Sequence, residues 1–416
     1  MNFHCERTKR AWPLLPAAIC AMFAILNALS ADAQTFTVLH AFTGGSGGSG
    51  PYAGVTLDRA GNLYGTAGDD NFIDGYGMVY KLTHVDSNWI YSPIHQFRGQ
   101  PDGELPESRV IFGPDGALYG TTYAGGSVNS GTVYRLTPQP TFCRTALCYW
   151  DETILHSFQS SPDGANPTTG DLFFDRAGNL YGTTMFGGVY QETCAESDCG
   201  TAFEIQHTSG GWQESVIYQF TNASGFFPMA GFVTNGSGNL YSTTTNANFG
   251  GTVYELSPSG QGFWTQTILY SSPGSPNGLQ GGVIFDPFGD LYGAYSQGGS
   301  IGGGQAFVMP HDGNNWSYMP IYNFAGNQGQ GPQSSLTMDA SGNLYGTTTG
   351  DYDCGSVFKL SPGNGGWTFT LLYEFTCGDD GGYPTGGVAL DSAGNLYGTA
   401  YSYGANGKGV VWEITP

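Results

Sequence analysis

The chain has 416 residues, among them 68 Gly, 22 Pro, 12 Lys or Arg and 33 Asp or Glu, for a formal net charge of −21. That balance argues against nucleic acid and anionic lipid surfaces as partners, because both are held by clustered Lys and Arg. A hydrophobic fraction of 39% with 14% aromatics excludes a collagen-like or disordered chain despite the glycine. Many turns between short apolar runs point to an all-β fold.

Residues 1–33 read as a secretory signal. Arg7, Lys9 and Arg10 precede an apolar stretch from Ala11 to Leu29, and Ala31-Asp32-Ala33 offers a cleavage site before Gln34. An uncleaved membrane anchor is the alternative, disfavoured by Pro13, Pro16 and the shortness of the stretch. No other segment is apolar enough to span a bilayer. Removing residues 1–33 leaves six cysteines: Cys143, Cys148, Cys194, Cys199, Cys354 and Cys377. An even number in an exported chain points to disulfides. Cys143/Cys148 and Cys194/Cys199 each enclose four residues and read as local staples, leaving Cys354 and Cys377 for each other. Metal ligation is the competing reading, weakened by the lack of any C-x-x-C spacing.

The pentad Gly-Asn-Leu-Tyr-Gly then recurs with small changes. Its tyrosines are Tyr64, Tyr119, Tyr181, Tyr241, Tyr292, Tyr345 and Tyr397, spaced 51 to 62 residues apart. A fixed period of this size marks a repeat architecture, and the copies fill residues 34–416 with no room for a second domain. Each copy holds four short runs rich in β-branched and aromatic residues, bounded by Gly, Pro, Asn or Asp, and none has helical periodicity. We label them a (ending near an Asp), b (Asn-Leu-Tyr-Gly-Thr), c (Gly-Thr-Val-Tyr-x-Leu) and d (x-Leu-Tyr-x-Phe). Six d runs have a Trp eight residues before their end: Trp89, Trp150, Trp212, Trp264, Trp316 and Trp367. The seventh d run, Thr35 to Phe42, opens the chain, with Gln34 at the Trp position. The chain thus starts with a lone d and ends with a, b and c, which a closed ring requires so that no seam is left exposed. The predicted fold is a seven-bladed β-propeller of four-stranded blades over residues 34–416, closed by the N-terminal strand completing the last blade.

Gly-Asn-Leu-Tyr-Gly-Thr-Thr, a Gly-Gly loop and Gly-Thr-Val-Tyr-x-Leu together resemble the GloVer (Gloeo/Verruco) tandem repeat of exported bacterial proteins. The resemblance spans residues 34–416 and implies no transferable activity. Members of that family carry varied C-terminal anchors, whereas here Pro416 follows the last c run without an evident anchor. The Asp-x-x-Gly-Asn-Leu-Tyr stretch is also similar, more weakly, to NHL-type and lactonase-type propeller repeats.

Residues common to the copies read as structural. Asp58, Asp175, Asp286, Asp339 and Asp391 lie three residues before the pentad glycine, with Gly113 and Asn235 in the other two copies. Asp there can accept backbone N–H bonds of a tight a–b turn. A calcium site is disfavoured, since one carboxylate per turn falls short of the six to eight oxygens calcium takes. His40, His95 and His156 share one place on d with Tyr218, Tyr270, Tyr322 and Tyr373, so packing with a hydrogen bond is expected there rather than catalysis. His84, His207 and His311 lie in or after c with no evident partner. The Trp set is expected to pack between blades.

Ligand contacts are expected on the face shared by the b–c and d–a loops, because the b–c loops vary while the a–b turns are uniform. Those loops offer Tyr123, Phe186, Tyr190, Asp351, Tyr352 and Tyr401, with Asp69, Asp74, Asn246 and Asn248 nearby: aromatic faces beside acceptors, a combination suited to sugar rings. One more place breaks the repeat. Four residues before the turn Asp stand Gly54, Gly231, Gly282, Ser335 and Gly387, but Arg109 and Asp171 in two adjacent copies. These are expected at the channel mouth, as an inter-blade ion pair or as a ligand anchor. The leading expectation is an exported, non-catalytic binding propeller, secreted or periplasmic, engaging carbohydrate or a cell-envelope component. A protein–protein scaffold using the same face is the alternative, and a metal-dependent lyase- or lactonase-type enzyme is third, since no acid/base pair recurs at fixed spacing. No cofactor or metal is expected, and uniform acidity points to a soluble monomer.

Overall fold

The computed structural model describes residues 34–68, 75–86, 88–139, 149–189, 198–245, 250–260, 262, 264–272, 278–300, 302–313, 315–325, 329–350 and 353–416. The expected signal segment lies outside them. Seven four-stranded antiparallel sheets form the blades of a β-propeller. In the order a, b, c, d, blade 1 is Thr56–Leu57, Leu63–Ala67, Met78–Val85 and Asn88–Gln96; blade 2 is Ile111–Phe112, Leu118–Thr122, Thr132–Thr137 and Asp151–Ser157; blade 3 is Phe173–Phe174, Leu180–Thr184, Thr201–Thr208 and Gly211–Gln219. Blade 4 is Val233–Thr234, Leu240–Thr244, Thr252–Pro258 and Trp264–Ser271; blade 5 is Ile284–Phe285, Leu291–Tyr295, Gln305–Met309 and Met319–Asn323; blade 6 is Thr337–Met338, Leu344–Thr348, Ser356–Gly363 and Gly366–Glu374. Blade 7 joins Ala389–Leu390, Leu396–Ala400 and Val410–Thr415 to Thr35–Ala41 from the other end of the chain.

Each letter of the repeat has a physical task. The Asp closes the a–b turn: Asp58 Oδ1 accepts the amides of Ala60 and Asn62 at 2.8 and 2.9 Å, and its Oδ2 accepts the Asn62 side-chain amide at 2.7 Å. Burial works against the Asp58 carboxylate, but these bonds outweigh it and hold the group below its ordinary range. Asp175, Asp339 and Asp391 repeat the pattern. The pentad Leu is core; Leu63, Leu118, Leu180 and Leu344 are fully buried. The pentad Tyr meets the Trp of the following blade, with six such pairs at ring-centroid separations of 5.9–6.2 Å. The last Gly lies opposite an aromatic residue of c, as in Gly65–Tyr80, Gly182–Phe203 and Gly398–Trp412. A Cβ there would strike the ring.

The two threonines complete the unit. The first ties five of the blades to the next. Thr66 Oγ1 donates to the Ser108 carbonyl at 3.0 Å, Thr243 Oγ1 to that of Gly281 at 2.9 Å, and Thr399 Oγ1 to that of Ala53 at 2.8 Å across the junction of blades 7 and 1. The second pairs with the Thr or Ser that opens c: Thr122 with Thr132, Thr184 with Thr201, Thr244 with Thr252 and Thr348 with Ser356, at 2.7–2.9 Å. Buried hydroxyls are thereby satisfied in pairs rather than left costly.

The core sits between blades. One cluster combines Tyr119, Val133 and Phe158 of blade 2 with Leu180, Phe203 and Ile205 of blade 3. Closure follows the expected register, from Thr35 opposite Thr415 to Ala41 opposite Val410. Phe36 stacks on Tyr373 of blade 6 at 3.7 Å, and Phe42 is fully buried. Cys354 and Cys377 form a disulfide across a sequence separation of 23. Cys199 is also disulfide-bonded; Cys143, Cys148 and Cys194 lie outside the described residues. No helix among the described residues is long and apolar enough to cross a membrane. One expectation needs correction: His84, His207 and His311 do have partners, the rings of Trp89, Trp212 and Trp316 at 4.7, 4.8 and 4.9 Å across their own c–d hairpins.

Candidate functional site

Strand a is the innermost of each blade, and a cavity of about 270 Å³ lies where the seven a strands converge. All seven residues of the repeat-breaking position line it: Gly54, Arg109, Asp171, Gly231, Gly282, Ser335 and Gly387. Each stands two residues before its strand a, and the blade repeat carries that position around the axis. Among the described lining residues, Arg109 is the one cation and Asp171 the one anion. They pair across the junction of blades 2 and 3: Arg109 Nε and Nη2 both donate to Asp171 Oδ2, at 2.9 and 2.5 Å. The side chains are 36% and 31% exposed, so the pair adds little stability, on the order of 0–1 kcal/mol.

Because the pair uses a single carboxylate oxygen, Asp171 Oδ1 and Arg109 Nη1 make no hydrogen bond among the described residues. An acceptor on Asp171 and a donor on Arg109 are therefore left unused on two residues that line the cavity. Two positions earlier, on the segment leading into each inner strand, lies a second ring, which sequence reasoning missed. It contributes Tyr52, Thr169, Met229, Gln280, Gln333 and Thr385 to the lining. The signal was the period of two, counted back from the channel residue toward the d–a loop. Not every small residue at the first ring leaves room: at two of them neighbouring backbone takes it. A Cβ on Gly54 would strike the Gly387 carbonyl, and one on Gly231 the Asp171 carbonyl.

Of the loop residues expected to contact a ligand, Tyr123, Phe186 and Tyr401 are half-buried and do not line the cavity. Phe186 packs edge-on against Phe227 at 5.2 Å, and Tyr401 against Tyr52 at 5.6 Å. Tyr401 thus supports a lining residue rather than forming the wall. Tyr190, Asp351 and Tyr352 lie outside the described residues, as do Asp69, Asp74, Asn246 and Asn248.

A family model described as the Gloeobacter/Verrucomicrobia repeat matches residues 25–250, 145–349 and 246–416. The chain belongs to this repeat family. No curated protein sequence matches this Gloeobacter/Verrucomicrobia repeat protein. Among solved structures it is similar to a candidate 6-phosphogluconolactonase from Bacteroides fragilis, 14% identical with a TM-score of 0.53, the match covering 83% of this chain and 89% of that one. A candidate 6-phosphogluconolactonase from Bacteroides uniformis gives 14% identity and a TM-score of 0.52 over 82% and 89% of the two chains. At that identity the likeness is one of fold. In the repeat protein, sites are therefore read from the residues that break the repeat.

Glu107 is one of these. It stands two residues before Arg109 in the second ring, where burial pushes its carboxyl up to about 7. Burial, and then the Glu107 charge, raise the phenols of its neighbours Tyr52 and Tyr123. A carboxyl held above its unfolded value favours the fold while protonated, and that contribution is lost as pH rises through about 7. The melting temperature of the parent is expected to fall between pH 5 and pH 8, and Glu107→Gln to flatten the fall, by on the order of 1–2 kcal/mol at the alkaline end. Thermal melts of both proteins across that range check this; parallel curves would contradict it.

Proposed function

We propose that this protein is an exported binding module that takes a carbohydrate at the mouth of its central channel. The observation that carries the reading is the Arg109–Asp171 pair in the 270 Å³ cavity, which leaves a donor and an acceptor unused. Vicinal sugar hydroxyls present the complementary acceptor and donor. Gln280, Gln333, Thr169 and Thr385 add amides and hydroxyls around the same wall, and Tyr52, held by Tyr401, supplies an apolar face. This mixture of a few convergent polar groups with apolar surface is what small-ligand sites have. Export is supported by the charged, apolar and small-residue order of residues 1–33 and by the Cys354–Cys377 disulfide.

The test is a thermal-shift screen of the oxidised protein against neutral and acidic oligosaccharides and cell-envelope polysaccharides, followed by calorimetry of any hit. A ligand at 100 times its dissociation constant stabilises the fold by about 2.7 kcal/mol. Arg109→Ala is expected to weaken binding tenfold or more, about 1.4 kcal/mol, while leaving the ligand-free melting temperature nearly unchanged. A flat screen would favour a protein partner on the same face. A hit that survives Arg109→Ala at full affinity would move the site away from the channel.

A further inference from the structure

At each blade junction one residue of strand d faces the d strand of the next blade. A β-bulge immediately precedes that residue in all seven blades, for example before His95 and His156. Bulges re-aim the side chains beside them. At five junctions the facing groups are uncharged or aromatic. His40 stacks on Tyr91 at 3.8 Å, Tyr270 on Tyr318 at 3.9 Å, Tyr322 on Phe369 at 4.8 Å and Tyr373 on Phe36 at 3.7 Å, and the Tyr218 hydroxyl donates to Gln266 Oε1 at 3.0 Å. The two remaining junctions differ. Between blades 1 and 2 stand His95, Asp102 and Glu152; between blades 2 and 3 stand His156, Asp163 and Glu214. In each set, one imidazole nitrogen and two carboxylate oxygens lie within 4.8 Å of one another.

We propose that each of these two junctions binds one divalent first-row transition ion, of which zinc is the representative, through one imidazole and two carboxylates. Packing with a hydrogen bond was expected at this position; His156 shows both, and His95 and His156, unlike His40, face carboxylates. Both still pack edge-on against a Phe, Phe97 and Phe158, at 4.8 Å. Their Nε2 atoms turn toward acids: His95 Nε2 lies 3.6 Å from Glu152 Oε2, and His156 Nε2 lies 2.9 Å from Asp163 Oδ2.

Three features favour an ion over a simple ion pair. First, His95 Nε2 and Glu152 Oε1 in one set, and Glu214 Oε1 in the other, are shielded from solvent and have no hydrogen-bond partner. Buried polar atoms ordinarily find partners, and each exception calls for one. Second, the Asp of each set is fixed by its own loop. Asp102 accepts the amides of Arg98 and Gly103 at 3.0 and 2.7 Å, and Asp163 accepts the amide of Gln159 at 2.9 Å. The corresponding loop of blade 6 holds Asp380 in the same way, through the Thr376 amide at 2.8 Å. There the Tyr373 hydroxyl fills the Asp at 2.9 Å, and Phe36 takes the place of Glu. Glu thus stands at this position only where the residue facing it is His. Third, the donor types fit. Imidazole with carboxylate suits zinc and its neighbours, and three protein donors leave a position for water, whereas calcium takes six to eight oxygens.

The experiment is calorimetric titration of the oxidised, metal-free protein with zinc chloride, with calcium chloride as control. The expected result is two zinc ions per chain at micromolar concentration, one in Glu214→Gln, none in Glu152→Gln/Glu214→Gln, and no calcium heat. The melting temperature should rise with zinc in the parent and not in the double variant. His95→Tyr/His156→Tyr provides a second zinc-free variant, since four blades carry Tyr at that position and keep the fold. Absence of zinc uptake by the parent overturns the proposal. So does a double variant of either kind that melts normally and still takes up two ions.

Discussion

Deletion of residues 34–42 is expected to abolish cooperative thermal unfolding, or to lower the melting temperature by well over 15 °C. The deleted segment is the whole d strand of blade 7, paired along its length with Val410–Thr415. It carries Phe36, stacked on Tyr373 of blade 6, and Phe42, fully buried against blade 1 with Val55 and Tyr80. Burying each large apolar side chain is worth roughly 1.5–3 kcal/mol. The loss of two phenylalanines with Val38, Leu39 and Ala41 therefore sums to a large share of the roughly 5–15 kcal/mol that holds a domain folded. The deletion also bares the edge of Val410–Thr415, which invites association between chains. Blades 7 and 1 would remain linked only through contacts such as Thr399 to the Ala53 carbonyl and Thr385 to the Tyr52 carbonyl. Calorimetry and size-exclusion chromatography of the truncated chain check this. A truncation that melts as high and as sharply as the parent would mean that the ring does not depend on its closing strand.

Gly182→Val is expected to cost roughly 3–5 kcal/mol, the scale of losing a buried Phe. Gly182 lies opposite Phe203 in the b–c pair of blade 3, and the Phe203 ring, fully buried, rests where a Cβ would project. Leu172 closes the space from the inner strand. A β-branched residue has no rotamer there that avoids both. The chain supplies its own control. Blade 4 has Ser242 opposite Tyr254, with the Ser242 hydroxyl donating to the Gly231 carbonyl at 2.9 Å. Gly182→Ser is therefore expected to be much milder than Gly182→Val. Equal melting temperatures for the two variants would show that the aromatic residue does not need the glycine.

Those two positions show how much of the molecule is legible in its sequence. The pentad spacing gives the blade count, and a lone d run at the start with a, b and c at the end gives the closure. Both are properties of order along the chain, and repeats make that order redundant. The channel residues are also legible, because Arg109 and Asp171 stand at a place where the other copies keep Gly or Ser. The rest depends on direction, which sequence does not carry. Phe186 and Tyr401 were expected as open platforms, yet an aromatic ring in a Gly-rich loop gains more by packing, on Phe227 and Tyr52 respectively. The ring of Tyr52, Gln280 and Gln333 precedes the short a strands, too near their start for alternation to be read as a pattern. The His–Asp–Glu sets draw on two blades and a loop, and a bulge turns each His toward its neighbour, so neither their proximity nor their orientation could be read from spacing.

The channel-mouth site is the centre of this account, and hydrogen–deuterium exchange tests it most directly. The protein would be compared with and without a saturating saccharide taken from the screen, peptide by peptide. The account predicts added protection confined to the inner strands and their leading loops, around 52–54, 107–111, 169–172, 280–284 and 333–337, with the effect lost in Arg109→Ala. Protection on the outer d strands, or the same inner pattern retained in Arg109→Ala, would contradict it.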